Sequence, residues 1–174
     1  MEITEAVSML QCPLLKAYTS PVCWADLGCG SGVFTRALAA LLPAGSSIHA
    51  VDQTAAWTDP GNLAVTVNFQ QRDFVTAALD LPPLDGILMA NALHYVRDQP
   101  AFLARIKRHL KPGAVFLIVE YDTDTPAKPW VPYPLSFDTL SILFRQQHFS
   151  QAHKLQERPS VYRRARLYSA LISP

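Results

Sequence analysis

The apolar positions of this chain switch repeatedly between two periods. PVCWADL, SSIHAVDQ, LDGILMANAL and GAVFLIVEYD are short apolar runs with the length of strands, the last being the most apolar. In AVTVNFQQRDF the residues Val65, Val67 and Phe69 alternate, which predicts a further strand. Helical spacing lies between them. SGVFTRALAALLPAG sets Phe34, Leu38, Leu41 and Leu42 on one face and stops at Pro43 and Gly45. DQPAFLARIKRHLKPG turns Phe102, Leu103, Ile106 and Leu110 inward, and SFDTLSILFRQQHF has a serine cap at Ser136 with an apolar face through Phe137, Leu140 and Phe144. At the start, Ile3, Val7, Leu10 and Leu14 have helical spacing broken by Pro13, which predicts one or two short helices. TAAWTDPGNL is a poor helix because Pro60 and Gly61 sit inside it, and the four prolines of TDTPAKPWVPYPL exclude regular structure. QAHKLQERPS and VYRRARLYSALIS read as two extended runs joined near Pro159 and Ser160.

Alternation of strand and helix implies a doubly wound α/β fold with a mostly parallel sheet, here of seven strands. The short connection at Pro159 leaves no room for a crossover helix, so the C-terminal strand must run antiparallel. With 174 residues and no linker, repeat or low-complexity stretch, the chain reads as one domain over 1–174.

Composition narrows the function classes. The formal net charge is +1 with 17% charged residues, which argues against a dedicated nucleic-acid binder. The basic residues Arg105, Lys107, Arg108 and Lys111 read as a solvated helix face with favourable dipole placement. Cys12, Cys23 and Cys29 form no CxxC pair and, being odd in number, no closed disulfide set; reduced thiols are expected. Metal-ligand spacings are missing, so no metal is expected. The sequence contains no targeting segment and no run of membrane-spanning length, which makes the cytoplasm the expected location.

The sharpest chemical signal is CWADLGCGSGVF. Gly28, Gly30 and Gly32 lie at the first strand-to-helix crossing, where doubly wound sheets bind ligands. Glycine permits positive φ and lets a ligand approach without meeting a Cβ. A dinucleotide fingerprint would need glycine where Val33 stands, and the Gly-Lys-Ser/Thr of a phosphate loop is missing. Asp26, at the strand end, suits a ligand with a positive centre.

ADLGCGSG, with IHAVDQ, QRDF, LDGILMANALHYV and KPGAVFLIVEYD, resembles the class I S-adenosylmethionine-dependent methyltransferases across most of the chain from Cys23 onward. The resemblance implies their Rossmann-like fold, S-adenosylmethionine as cofactor, and a division into a helical segment (1–20), a cofactor-binding half (21–122) and a substrate-side half (123–174). It places Asp26, Gly28 and Gly30 at the methionine end with Cys29 contributing backbone, counts Gly32 among the cofactor-binding residues, and places Asp52 with Gln53 at the ribose. It places Asp73 and the backbone of Phe74 at the adenine, and Asn91 beside the reactive methyl. Asp73 also reads as a surface turn residue, Trp57 as either an adenine flank or a packing residue, and His94 as either a proton acceptor or a packed histidine.

On the acceptor side stand Tyr121, in the fifth strand run, and Trp130 and Tyr133, in a long segment after it that is either a substrate wall or a proline-stiffened connection. Arg158, Arg163, Arg164 and Arg166 read as charges on an exposed edge strand or as partners of an anionic group. The few residues between the last two strands favour a small-molecule acceptor. Two other readings stay open: a non-catalytic module of the same fold, and a nucleotide-dependent oxidoreductase.

Overall fold

The computed structural model describes residues 1–58, 61–159 and 165–174. In chain order the elements are α1 (Ile3–Leu10), α2 (Pro13–Ala17), β1 (Cys23–Leu27), α3 (Val33–Ala39), β2 (Ser47–Asp52), β3 (Thr66–Gln71) and β4 (Leu84–Ala90). There follow α4 (Gln99–Ile106), β5 (Leu110–Tyr121), α5 (Phe137–Gln146), β6 (Gln151–Pro159) and β7 (Arg166–Ser173), with single 3-10 turns at Leu93–Tyr95 and Lys107–His109. Pro13 sits at the first position of α2, where its missing N–H costs nothing, so it starts a second helix instead of kinking the first.

One seven-stranded sheet runs in the order β3-β2-β1-β4-β5-β7-β6. Strands β1 to β5 pair in parallel, whereas β7 is antiparallel to both β5 and β6. The alternation of burial along the central strands splits the core into two layers. Trp24, Ile48, Leu88, Leu117 and Val119 face α1, α2 and α3; Ala25, Leu27, Ile87, Met89, Phe116 and Ile118 face α4 and α5. The buried stretches of the central strands therefore divide their residues between the two layers, which is why they read as apolar throughout. Trp57 and its neighbours up to Thr58 form no helix.

Several sequence expectations shift. The N-terminal helix buries Ala6, Met9 and Leu10 while Ile3 is exposed, so its inward stripe is set by packing on α3. The fourth helix stops at Ile106, and Leu110 opens β5 instead of closing the helix. The basic cluster is not simply solvated: Arg105 Nη2 donates to the carbonyls of Phe74 and Val75 at 2.7 and 2.6 Å, and Lys111 Nζ pairs with Asp85 at 2.8 Å. At the C-terminal side of the sheet the edge strand is β6; β7 is interior, with Tyr168, Ser169 and Ala170 fully buried. Arg158 pairs with Glu5 at 2.9 Å and Arg166 with Glu157, so neither is a free cation. Arg163 and Arg164 lie outside the described residues.

Candidate active site

The neighbours of β1 are β2 and β4, and chain order reverses between them at the carboxyl ends of the strands. This switch point is where the glycine turn falls. Gly28, Gly30 and Gly32 all have positive φ (82°, 52° and 81°). Gly28 and Cys29 donate their N–H groups to the Val51 carbonyl at 2.8 and 3.2 Å, and Gly30 N–H donates to Asp52 Oδ2 at 2.8 Å. The turn is thereby fastened to the end of β2. A Cβ on Gly28 would stand 2.5 Å from the Ala92 Cβ and 3.2 Å from the Phe74 ring, so only glycine fits there. At Gly32 the space a Cβ would need is filled by the Trp57 ring, over which Arg36 lies at 5.6 Å. Trp57 thus packs on the turn and is not among the residues lining the cleft.

The cleft beside the turn has a volume of about 400 Å³ and is lined by Gly28, Asp52, Gln53, the turn Asp73–Thr76, Asn91, Ala92 and Tyr95. That size suits a small ligand. Six sequence-predicted residues therefore meet there from four segments: Gly28, Asp52, Gln53, Asp73, Phe74 and Asn91. Cys29, Gly30 and Gly32 shape the turn, and Asp26 lies beneath it, fully buried.

Local hydrogen bonds hold the carboxylates. Asp52 Oδ1 accepts from the Thr54 N–H and hydroxyl, both at 2.8 Å, and with Oδ2 accepting from the Gly30 N–H the capacity for a further donor is on Oδ2. Asp73 accepts from Val75 N–H at 2.8 Å and the Thr76 hydroxyl at 2.6 Å; the Thr76 bond above all holds its carboxyl below the usual range. Asp26 differs. Burial pushes its carboxyl up to about 7, against the opposing hydrogen bond from the Thr35 hydroxyl at 2.6 Å. Its second oxygen, Oδ1, is buried without a partner, and so is the side-chain Oδ1 of Asn91. Asn91 also has φ of 53°, strained for a residue with a Cβ, while its N–H donates to the Val119 carbonyl at 2.8 Å. Strain, an orphaned acceptor and a place in the cleft coincide at this one residue.

Past Asn91 the chain makes the turn Leu93–Tyr95. His94 Nδ1 lies 2.6 Å from Glu120 Oε2, both side chains buried, and the His94 ring packs against Tyr95 and Tyr121 at 4.4 and 6.2 Å. Tyr133 donates its N–H to the His94 carbonyl at 3.0 Å, and Gln99 Nε2 ties the Tyr133 carbonyl at 2.9 Å. The proline-rich segment is thus anchored to the cleft rim at Tyr133, while Trp130 is exposed. Sequence reasoning passes over Val75, Thr76, Ala92, Tyr95 and Glu120. Only Glu120 leaves a signal, as a charge inside the most apolar strand. Among the described residues no group of His, Cys, Asp and Glu is placed to hold a metal ion, and no helix is long and apolar enough to cross a membrane.

A sheet of this order, with a glycine turn and paired acidic strand ends at its switch point, defines the class I S-adenosylmethionine-dependent methyltransferase fold. Residues 13–168 match the family model described as a methyltransferase domain, and the chain belongs to that family. Among solved structures, it is similar to 1,6-didemethyltoxoflavin-N1-methyltransferase of Burkholderia thailandensis, with bound 1,6-didemethyltoxoflavin and S-adenosylhomocysteine (21% identity, TM-score 0.71, 98% of this chain and 77% of that one). It is also similar to the plantazolicin methyltransferase BpumL with S-adenosylhomocysteine (15%, 0.64, 97% and 82%). A third likeness is to Haemonchus contortus phosphoethanolamine N-methyltransferase 2 with S-adenosylmethionine (12%, 0.71, 98% and 52%). No curated protein matches the chain.

Proposed function

We propose that this chain transfers a methyl group from S-adenosylmethionine to a small-molecule acceptor. The observation that carries the reading is the convergence of Gly28, Asp52, Gln53, Asp73, Phe74 and Asn91 on one cleft at the switch point. The residues fit the cofactor: open space beside the Gly30 backbone, acidic acceptors with a spare lone pair, and orphaned oxygens on Asp26 and Asn91 that call for donors. Asp52, with Gln53, would hold the ribose hydroxyls, and Asp73 with the Phe74 N–H the adenine. Asp26, Gly28, Cys29, Gly30 and Gly32 would form the methionine end, leaving Asn91 beside the methyl. When bound, the cofactor supplies an electrophilic methyl group on a sulfonium that leaves readily as a thioether. The protein's part is to orient the acceptor and exclude water. Residues 21–122 then serve the cofactor and 123–174 the acceptor, with 1–20 packed as a helical cover on α3.

Two features support a small acceptor: the connection between β6 and β7 spans only 160–165, and the segment carrying Tyr133 is tied to the rim beside Tyr121. Free cysteines suit a reducing compartment, and we place the protein in the cytoplasm without a nucleic-acid or membrane partner. Calorimetric titration with S-adenosylhomocysteine tests the reading. Saturable one-to-one binding is expected; no heat at saturating ligand defeats it. Binding without turnover of any acceptor would favour the non-catalytic module instead.

A further inference from the structure

We propose that the methyl acceptor is a planar aromatic molecule, neutral or anionic, and that Tyr95, with Trp130 and Tyr133 beside it, selects it by stacking. This inference rests on the methyltransferase reading above and deepens it by naming the acceptor class.

The exposed rings of this chain are not scattered. Among the described residues the exposed large apolar side chains are Met1, Ile3, Tyr95, Trp130, Tyr133 and Ile142. The three aliphatic ones lie at the N-terminus and on α5. The three aromatic ones all belong to the two segments that meet at one rim of the cleft, the turn after β4 and the proline-rich stretch. A single exposed apolar residue needs no explanation, but a cluster of rings beside a ligand cleft does.

Each ring stands on a fixed backbone. Tyr95 lines the cleft and is 49% exposed. Its N–H donates to the Ala92 carbonyl at 3.2 Å, and its ring lies 4.4 Å from the His94 ring at a tilt of 48°. His94, buried and pinned by Glu120 at 2.6 Å, supports that ring from the interior. Tyr133 joins the same turn through its N–H on the His94 carbonyl at 3.0 Å, and Gln99 ties its own carbonyl. A few residues earlier Ala127 and Val131 exchange two backbone hydrogen bonds of 2.9 Å. That tight turn leaves Trp130 69% exposed while Val131 is buried. Rings set in place before binding lose little freedom when a ligand covers them, and a flat ring offers them the largest contact.

Exposed rings also serve as cages for cationic amines, and the charges here argue against that use. The acids of the two segments are engaged. Asp98 accepts from the Ala101 N–H at 3.1 Å, Asp122 from the Phe137 N–H and Lys154 Nζ at 2.9 and 2.8 Å, and Asp124 from the Ser136 N–H at 2.9 Å. Two residues from Tyr95 and from Trp130 stand Arg97 and Lys128, both positive. A cation would meet like charge and no available carboxylate.

The test is calorimetric titration of the full chain, saturated with S-adenosylhomocysteine, with three probes. 2-Naphthol has the flat ring, decahydro-2-naphthol has the same skeleton without aromaticity and is at least as apolar, and choline is the cationic alternative. 2-Naphthol should bind saturably and roughly tenfold more tightly than either. Tyr95→Leu, which keeps much of the bulk and removes the ring, should weaken 2-naphthol roughly tenfold, whereas Tyr95→Phe should stay within about twofold of the parent. Trp130→Ala should weaken it roughly threefold. Equal or tighter binding of the saturated probe or of choline, no saturable binding of 2-naphthol, or an undiminished Tyr95→Leu variant would overturn the proposal. So would a loss of S-adenosylhomocysteine affinity in Tyr95→Leu as large as the loss for 2-naphthol, which would set the ring against the cofactor. Failure of the parent protein to bind S-adenosylhomocysteine would instead sink the underlying methyltransferase reading.

Discussion

The two rims of the cleft are built in opposite ways. The rim formed by the glycine turn, the end of β2 and the Asp73–Thr76 turn is held by short-range bonds: Asp52 to Thr54, Asp73 to Val75 and Thr76. The longer-range contacts on this side tie the glycine turn to the end of β2, through Val51 and Asp52, and Arg105 to the Phe74 and Val75 carbonyls. The opposite rim, from Asn91 to Tyr95, is held by residues distant in sequence: Val119 on Asn91, Glu120 on His94, and Tyr133 on the His94 carbonyl. The turns around Asp52 and Asp73 form locally and the glycine turn needs only β2 beside it; the second rim exists only once β4, β5 and the proline-rich segment have docked. Locally encoded parts suit a ligand common to a whole family, whereas parts assembled over long range can vary with the acceptor.

The comparison predicts damage of graded size. Gly28→Ala should be the most damaging to ligand binding, because its Cβ would collide with Ala92 at a backbone φ of 82°. The strain should cost roughly 1–3 kcal/mol of stability and remove detectable S-adenosylhomocysteine binding; denaturant titration and calorimetry measure the two. A variant that bound normally would disprove the tight-turn account.

Next comes a pH effect at Asp26. Its carboxyl titrates at about 7 in the folded chain, against an ordinary value of 3.8. The folded state therefore keeps a proton that the unfolded state has lost, and stability falls as pH rises from about 4 to about 7, by an amount on the order of 4 kcal/mol. Below that window the group contributes nothing; above it the penalty is complete. Asp26→Asn should flatten this part of the stability profile and leave the protein more stable at pH 8. A profile identical in parent and variant would mean that Asp26 is ionised in the folded chain at ordinary cost.

Asp52→Ala should weaken S-adenosylhomocysteine binding by roughly 1–3 kcal/mol, since it also frees the Gly30 N–H. Unchanged affinity in calorimetry would remove Asp52 from the site. The smallest effect is expected across the cleft. Gln99→Ala cuts one tie to the Tyr133 carbonyl and should cost roughly 0.5–1.5 kcal/mol of stability while leaving S-adenosylhomocysteine affinity unchanged. A matching loss of affinity would show that the two rims are not independent.

Most of the first rim is legible in the amino-acid sequence. Three glycines in alternation announce a turn of positive φ, and an acid at the end of an apolar run announces a strand end. Trp57 is ambiguous there because nothing local says which of two surfaces an aromatic ring will cover; the fold lays it on Gly32. The inward face of α1 escapes the sequence pattern for a related reason. Ile3 and Val7 have the right period, but packing against α3 turns Ala6 and Met9 inward. Leu110 fits both a helical stripe and a strand start, and pairing with Leu84 of β4 decides the matter.

What the sequence alone determined is the alternation of strand and helix, the place of the ligand turn and the acids at its margin. These depend on backbone conformations and periods encoded within a few residues. Tertiary structure alone decided the order of strands, the burial of Asp26 and the meeting of His94 with Glu120. Each of these depends on which distant segments share a dry interior, and there the cost of an unpaired polar group, not any local preference, selects the partner.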